Sequence, residues 1–167
     1  MKKLLAGLTL SSALLLAACG SDDAAETPTD GGSDDAVETP AEGGLQDGTY
    51  ALEELNFGET GWKESLEIVV AGGEITDATF TSLDEEGNNK LEDDGYQDAM
   101  SNVVEVGPQD FIPALEDSLV DTQNPDDVEV VTGATSTSEK FKDYADQLVA
   151  AAEEGNTDTI EVDNQEE

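Results

Sequence analysis

Residues 62–83 constrain the fold more than any other stretch. Trp62, Glu64, Leu66, Ile68 and Val70 alternate with residues that are mostly Lys, Ser and Glu, the period of a strand with one buried face. Gly72-Gly73 follows, a pair suited to the two-residue loop of a hairpin. Ile75 to Leu83 returns as a Thr-rich run with Phe80 as its largest apolar residue. Its apolar face changes between Ile75 and Ala78-Phe80, which predicts a bulge. A chain carrying this hairpin has to build an antiparallel sheet and cover one side of it.

The cover is visible in the sequence. Tyr96, Met100, Val103 and Val104 lie at helical spacing, and so do Phe111, Ile112, Leu115 and Leu119. The longest helical pattern runs through Phe141, Tyr144, Ala145, Leu148, Val149 and Ala152, with Gly155 as its stop. All these apolar positions are expected in the core. Gly48 to Leu52 forms a further strand after the Asp47-Gly48 turn signal. Helices following strands without strict alternation predict an α+β domain, a small, mainly antiparallel sheet packed against helices, over residues 45–157. Residues 158–167 are expected to be an acidic, disordered tail.

Charge excludes several classes of function. The 167 residues include six Lys, no Arg, no His and 41 acidic residues, for a net charge of -35. Such a chain repels nucleic acid and anionic lipid. It lacks the commonest general base and metal ligand. With one Cys, no intramolecular disulfide forms. Self-repulsion on this scale suggests a salt-adapted, halophilic host, which implies thermal stability that rises with salt. Asp84 to Asn89 superficially resembles a calcium loop, but its sixth position is Asn89 and its twelfth Gly95. The required Gly and Glu are missing there, and no metal is expected.

The N-terminus points to export. Lys2 and Lys3 precede an apolar run, Leu4 to Leu16, that is too short and punctuated to span a bilayer. Leu16-Ala17-Ala18-Cys19-Gly20 resembles the bacterial lipoprotein box. Residues 1–18 are then a signal peptide, and Cys19 carries the lipid that holds the mature chain on the extracytoplasmic face of the cell membrane. Residues 21–32 and 33–44 are tandem copies of one acidic twelve-residue unit. Having almost no large apolar side chain, residues 19–44 are expected to be a disordered tether, with a reach of about 25–30 Å before charge repulsion extends it.

The densest hydroxyl cluster is Thr132-Gly133-Ala134-Thr135-Ser136-Thr137-Ser138. A β-type run, Val128 to Val131, enters it and the longest helix leaves it. The simplest account is a helix cap, either Thr135 or a Ser136/Glu139 capping box. The small residues before the helix also let four free N–H groups and the helix dipole approach an anion, and the geometry suits a phosphate. No Lys follows the Gly as a P-loop requires, so a nucleoside triphosphate is disfavoured.

This stretch resembles the flavinylation motif of the FMN-binding domain family, which includes flavin-bearing components of the sodium-pumping NADH:quinone reductase and of its Rnf relatives. The family motif is Asp-x-x-Ser/Thr-Gly-Ala-Thr with a trailing hydroxyl residue. Thr135 matches the Thr that bears FMN through a phosphoester, Thr137 and Ser138 match the trailing hydroxyls, and Glu129 stands where the family prefers Asp. Asp47-Gly48-Thr49-Tyr50, Gly61-Trp62-Lys63, Gly73-Glu74-Ile75-Thr76 and Tyr96 to Met100 resemble the flavin-bearing lipoproteins of Gram-positive extracellular electron transfer. The resemblance implies covalent FMN on Thr135, cradled by Thr132, Gly133, Ala134, Ser136, Thr137, Ser138 and Glu129. It implies an electron carrier without substrate turnover of its own. Its partners would be a flavin transferase, a membrane quinone or NADH dehydrogenase-type electron donor, and extracellular acceptors. Trp62 or Tyr50 would be the aromatic residue to stack on the flavin, although core packing is the simpler role for both. Two other readings compete: a lipid-anchored solute- or protein-binding module without flavin, and an enzyme with Thr135 as nucleophile, which lacks an evident base.

Overall fold

The computed structural model describes residues 44–165. The signal peptide, Cys19 and the tandem repeat lie outside them. Four strands form one mixed sheet in the order β3-β2-β1-β4, and three helices cover one of its faces: an α+β fold. The strands are β1 (Gly48–Glu54), β2 (Lys63–Ala71), β3 (Glu74–Leu83) and β4 (Ile160–Val162). The helices are α1 (Asp94–Val104), α2 (Pro108–Thr122) and α3 (Thr135–Glu154).

The hairpin forms as its alternation predicts. Glu64, Leu66, Ile68 and Val70 are buried on one face of β2, and Ala78, Phe80 and Ser82 on the same side of β3. Gly72 and Gly73 take φ of 67° and 80°, the left-handed region that a tight hairpin turn needs. Val69 pairs with Asp77 but Val70 with Ile75. Thr76 is therefore the extra residue, and this bulge returns Ile75 to the core face. β1 pairs antiparallel with β2, and β4 pairs parallel with β1 through Leu52 and Ile160. The segment expected to be a disordered tail thus supplies the fourth strand. Ile160 and Val162 pack partly against the core there.

Phe111, Ile112, Leu115 and Leu119 from α2 and Phe141, Ala145, Leu148 and Ala152 from α3 fill the core over Tyr50, Leu52, Leu66 and Ile68. Each fully buried Leu or Ile contributes about 2 kcal/mol of transfer free energy. α2 also seals the free edge of β3. Gln123 accepts from Ile75 N at 2.7 Å and donates to Ile75 O at 2.8 Å. The Glu116 carboxylate accepts from Phe80 N at 2.6 Å. A bare edge would otherwise invite pairing with another chain.

α1 departs from expectation. It has no fully buried residue. Met100 packs partly against the core, but Val103 is 81% exposed. Helical spacing places Val103 beside Tyr96 and Met100 only on the helix. Among the described residues, no sheet or helix lies over that end of α1 to bury it.

Candidate functional site

The hydroxyl cluster sits at the start of α3. Val128 to Val131 approaches it in extended form but pairs with no strand among the described residues. Its carbonyls turn to a helix instead: Lys142 Nζ donates to Asp126 O and Val128 O, each at 3.0 Å. The expected strand is absent because its neighbour is α3 and not a sheet edge. Glu129 and Thr132 are exposed.

Gly133 makes the turn at φ 91°. A Cβ there would lie 3.0 Å from Val104 Cβ, Val104 O and Val106 Cγ2. Only glycine allows both this angle and this approach. Ala134, buried, is the residue that caps α3, and it offers no side-chain bond to the first turn. The cap is thus neither Thr135 nor a Ser136/Glu139 box. The hydroxyl suited to local bonding is Ser138, which is fully buried. Ser138 Oγ accepts from Val131 N at 3.1 Å and donates to Ala134 O at 2.9 Å, fastening the entering segment to the helix.

The result is a helix start without a protein cap. Ala134 N donates to Val131 O and Ser138 N to Ala134 O. The N–H groups of Thr135, Ser136 and Thr137 have no partner among the described residues, three free donors where the sequence suggested four. Thr135 and Ser136 are exposed and Thr137 half-buried. The positive end of a twenty-residue helix meets solvent beside an open hydroxyl on Thr135, an arrangement that receives an oxyanion.

Below this turn lies a buried charge network that sequence reasoning missed. Glu54 at the end of β1 is fully buried, and Glu64 and Lys90 are 5% exposed. Lys140 Nζ on α3 bridges Glu54 Oε1 at 2.9 Å and Glu64 Oε2 at 2.8 Å. The second contact is an ion pair lying off the hydrogen-bond direction. Lys90 Nζ reaches Glu64 Oε1 at 3.4 Å and sits 4.8 Å from the centre of the Trp62 ring. Tyr144 donates to Glu54 Oε1 at 2.7 Å, and Glu64 N donates to Glu54 Oε2 at 2.8 Å. Two carboxylates and two amines make the group neutral, the condition for burying them. Burial opposes the charge on Lys140, but Glu64 and Glu54 outweigh it and hold its amine above the usual lysine range. Burial dominates at Lys90 and lowers its amine, with Glu64 partly offsetting. Burial and then the Glu54 carboxylate push the Tyr144 hydroxyl up. Glu64 on the inward face of β2 was the one available signal: a carboxylate there needs a cation.

Trp62 and Tyr50 are committed elsewhere. Tyr50 is buried and donates to Gln46 O at 2.8 Å. Trp62 stands edge-on to Tyr96 with centroids 5.6 Å apart. A depression of about 590 Å³ on the open face of the sheet, lined by Glu53, Ser65, Glu67 and Thr79 among others, is formed by the strands and not by the start of α3.

Comparison with known proteins shows the family. The model of the FMN-binding domain matches residues 61–150. The chain belongs to the FMN-binding domain family. It is 33% identical over 114 residues to a 15 kDa lipoprotein of Treponema pallidum (strain Nichols), covering 68% of this chain and 81% of that one. It is similar to a Clostridium perfringens protein of known crystal structure, with 38% identity and a TM-score of 0.69, over 72% of this chain and 99% of the other. The family match spans the hairpin, the Gly133 turn and most of α3.

Proposed function

We propose that this protein is a lipid-anchored flavoprotein that carries electrons through FMN bound covalently to Thr135. The observation that carries this reading is the uncapped start of α3: an exposed Thr135 hydroxyl beside three unpartnered N–H groups, behind a glycine turn that a Cβ would fill. A phosphate esterified to Thr135 supplies the acceptors that these donors lack. Attachment requires an activated donor such as a flavin dinucleotide. Thr135 Oγ forms the new P–O bond, the bond to the AMP half breaks, and the Thr135 proton leaves with AMP. A separate flavin transferase would supply the base.

Thr135, Ser136 and Thr137 would hold the phosphate through their N–H groups, with Gly133 and Ala134 keeping the approach open and Ser138 fixing the turn. Thr132 and Glu129, both exposed, would face the transferase. Bound FMN supplies transfer of one or two electrons, and the protein supplies position and electrostatics. The similarity to a lipoprotein and the box ending at Cys19 support anchoring at the outer face of the membrane. Electrons would come from a membrane quinone or NADH dehydrogenase-type donor and go to extracellular acceptors. A carrier of this kind needs no substrate pocket of its own. Peptide mapping of the protein coexpressed with a transferase tests the assignment: the added flavin phosphate should map to Thr135, and its appearance on Ser136 or Thr137 would sink it.

A further inference from the structure

The solvent side of α3 is one stripe that begins at Thr135. At about 100° per residue, Glu139, Asp143, Asp146 and Glu153 fall within about 80° of Thr135 around the helix, and all of them are exposed. Phe141, Tyr144, Ala145 and Leu148 take the opposite side and are buried. Folding does not explain the acidity of the stripe. The helix dipole favours carboxylates in the first turn, and the first turn of α3 has none. Glu139 and Asp143 stand four residues apart and Asp143 and Asp146 three, spacings at which like charges destabilise a helix. Asp146 feels the crowding: burial and then the charges of Asp126 and Asp143 hold its carboxyl above the usual range, with Lys142 partly offsetting.

Among the described residues, no lysine forms an ion pair with the stripe. Lys63 pairs with Glu53, Lys90 with Glu64, and Lys140 with Glu54 and Glu64. Lys142 spends its amine on Asp126 O and Val128 O. A second copy would bring the same charge, and residues 21–44 carry acids and no Lys, so neither suits this face. Its complement is a basic surface on another protein. We propose that the stripe is the docking face for the flavin transferase, which meets it with basic side chains while its donor reaches Thr135. This rests on the attachment proposed above. An enzyme that forms a bond at Thr135 Oγ has to cover the surroundings of Thr135. A standard interface takes about 800 Å² from each partner, enough to include both Thr135 and Asp146, about 16 Å apart along the helix. The pyrophosphate of a flavin dinucleotide is anionic, which favours basic residues on the enzyme surface that presents it. Acids behind the attachment point draw that surface in, and the acid-free first turn leaves the phosphate unopposed.

The face is tested on the full chain with purified transferase and flavin dinucleotide, following gel fluorescence against time. Glu139→Gln/Asp143→Asn/Asp146→Asn should raise KM for the chain about tenfold at low salt and leave kcat near wild type, because surface charges act on encounter. Wild-type kcat/KM should fall as salt rises, while that of the triple variant should change little. Asp117→Asn/Asp121→Asn/Glu74→Gln removes the same charge from α2 and β3 and should behave as wild type. The stripe variant loses mutual repulsion, so its melting temperature should match or exceed that of wild type. Asp146→Lys, a single exposed change, should raise KM in the same direction and decides the matter where the triple variant melts lower. Unchanged KM and salt dependence in these variants overturn the docking face alone, as does an equal loss in the α2 and β3 variant. A wild-type chain left unlabelled, while the same transferase labels a known acceptor, overturns the attachment and the docking face with it.

Discussion

Lys140 Nζ on α3 lies 2.9 Å from Glu54 Oε1 at the end of β1. The same amine is 2.8 Å from Glu64 Oε2 on β2. One lysine therefore ties the helix that begins at Thr135 to both β1 and β2. Removing it leaves two buried carboxylates facing Lys90 alone. Lys140→Met is expected to cost about 2–4 kcal/mol of stability, toward the lower part of the range for breaking a buried pair because the Lys140 side chain is partly exposed. Glu54→Gln/Lys140→Met keeps the remaining Glu64–Lys90 pair balanced and should recover most of that loss. Urea unfolding of the single and double variants measures both. A double variant as unstable as the single one would show that charge balance is not what the network provides.

Gly133→Ala combines a left-handed φ of 91° with a Cβ 3.0 Å from Val104 and Val106. The backbone angle alone costs about 1–2 kcal/mol for an L side chain, and Val104 or Val106 must also move. The variant should fold with reduced stability and accept flavin more slowly from the transferase. A time course of gel fluorescence, read beside the melting temperature, checks this. Attachment at the wild-type rate would remove the close approach of Gly133 from the account.

How much of the fold and the site is legible in the sequence depends on distance along the chain. The hairpin is readable because alternation, the Gly pair and the bulge lie within one stretch, Trp62 to Leu83. The cluster at Thr135 is readable because its motif is contiguous. Val128 to Val131 misleads because β-propensity cannot tell an extended segment beside a helix from one at a sheet edge. Ile160-Glu161-Val162 escapes notice because three residues carry too little pattern among acids. The Glu54, Glu64, Lys90 and Lys140 network joins four separate elements, and only the fold brings them together. The helix cap fails for a similar reason: Ser138 turns inward toward Val131, a partner the local pattern does not show.

Glu116 gives the domain a specific pH dependence. Burial raises its carboxyl above the ordinary 4.5, against the Phe80 N–H that favours the ion, and Asp117 and Asp77 add to the rise. A group that holds its proton more tightly when folded stabilises fully below its unfolded pKa, and that stabilisation is lost as pH rises through the folded value. Glu116→Gln keeps an oxygen for Phe80 N–H without the charge. Its stability advantage over wild type should grow as pH rises from about 4 toward 7. Unfolding free energies across that range measure it, and a difference that stays constant with pH would contradict it.

The most direct test of the central claim is a denaturing gel viewed under ultraviolet light. The full chain and its Thr135→Ala variant are each coexpressed with a competent flavin transferase. The account predicts a fluorescent band at the position of the wild-type chain and none for Thr135→Ala, with equal protein stain for both. A fluorescent band that persists in Thr135→Ala, or no band in the wild type while a known acceptor is labelled by the same transferase, would contradict it.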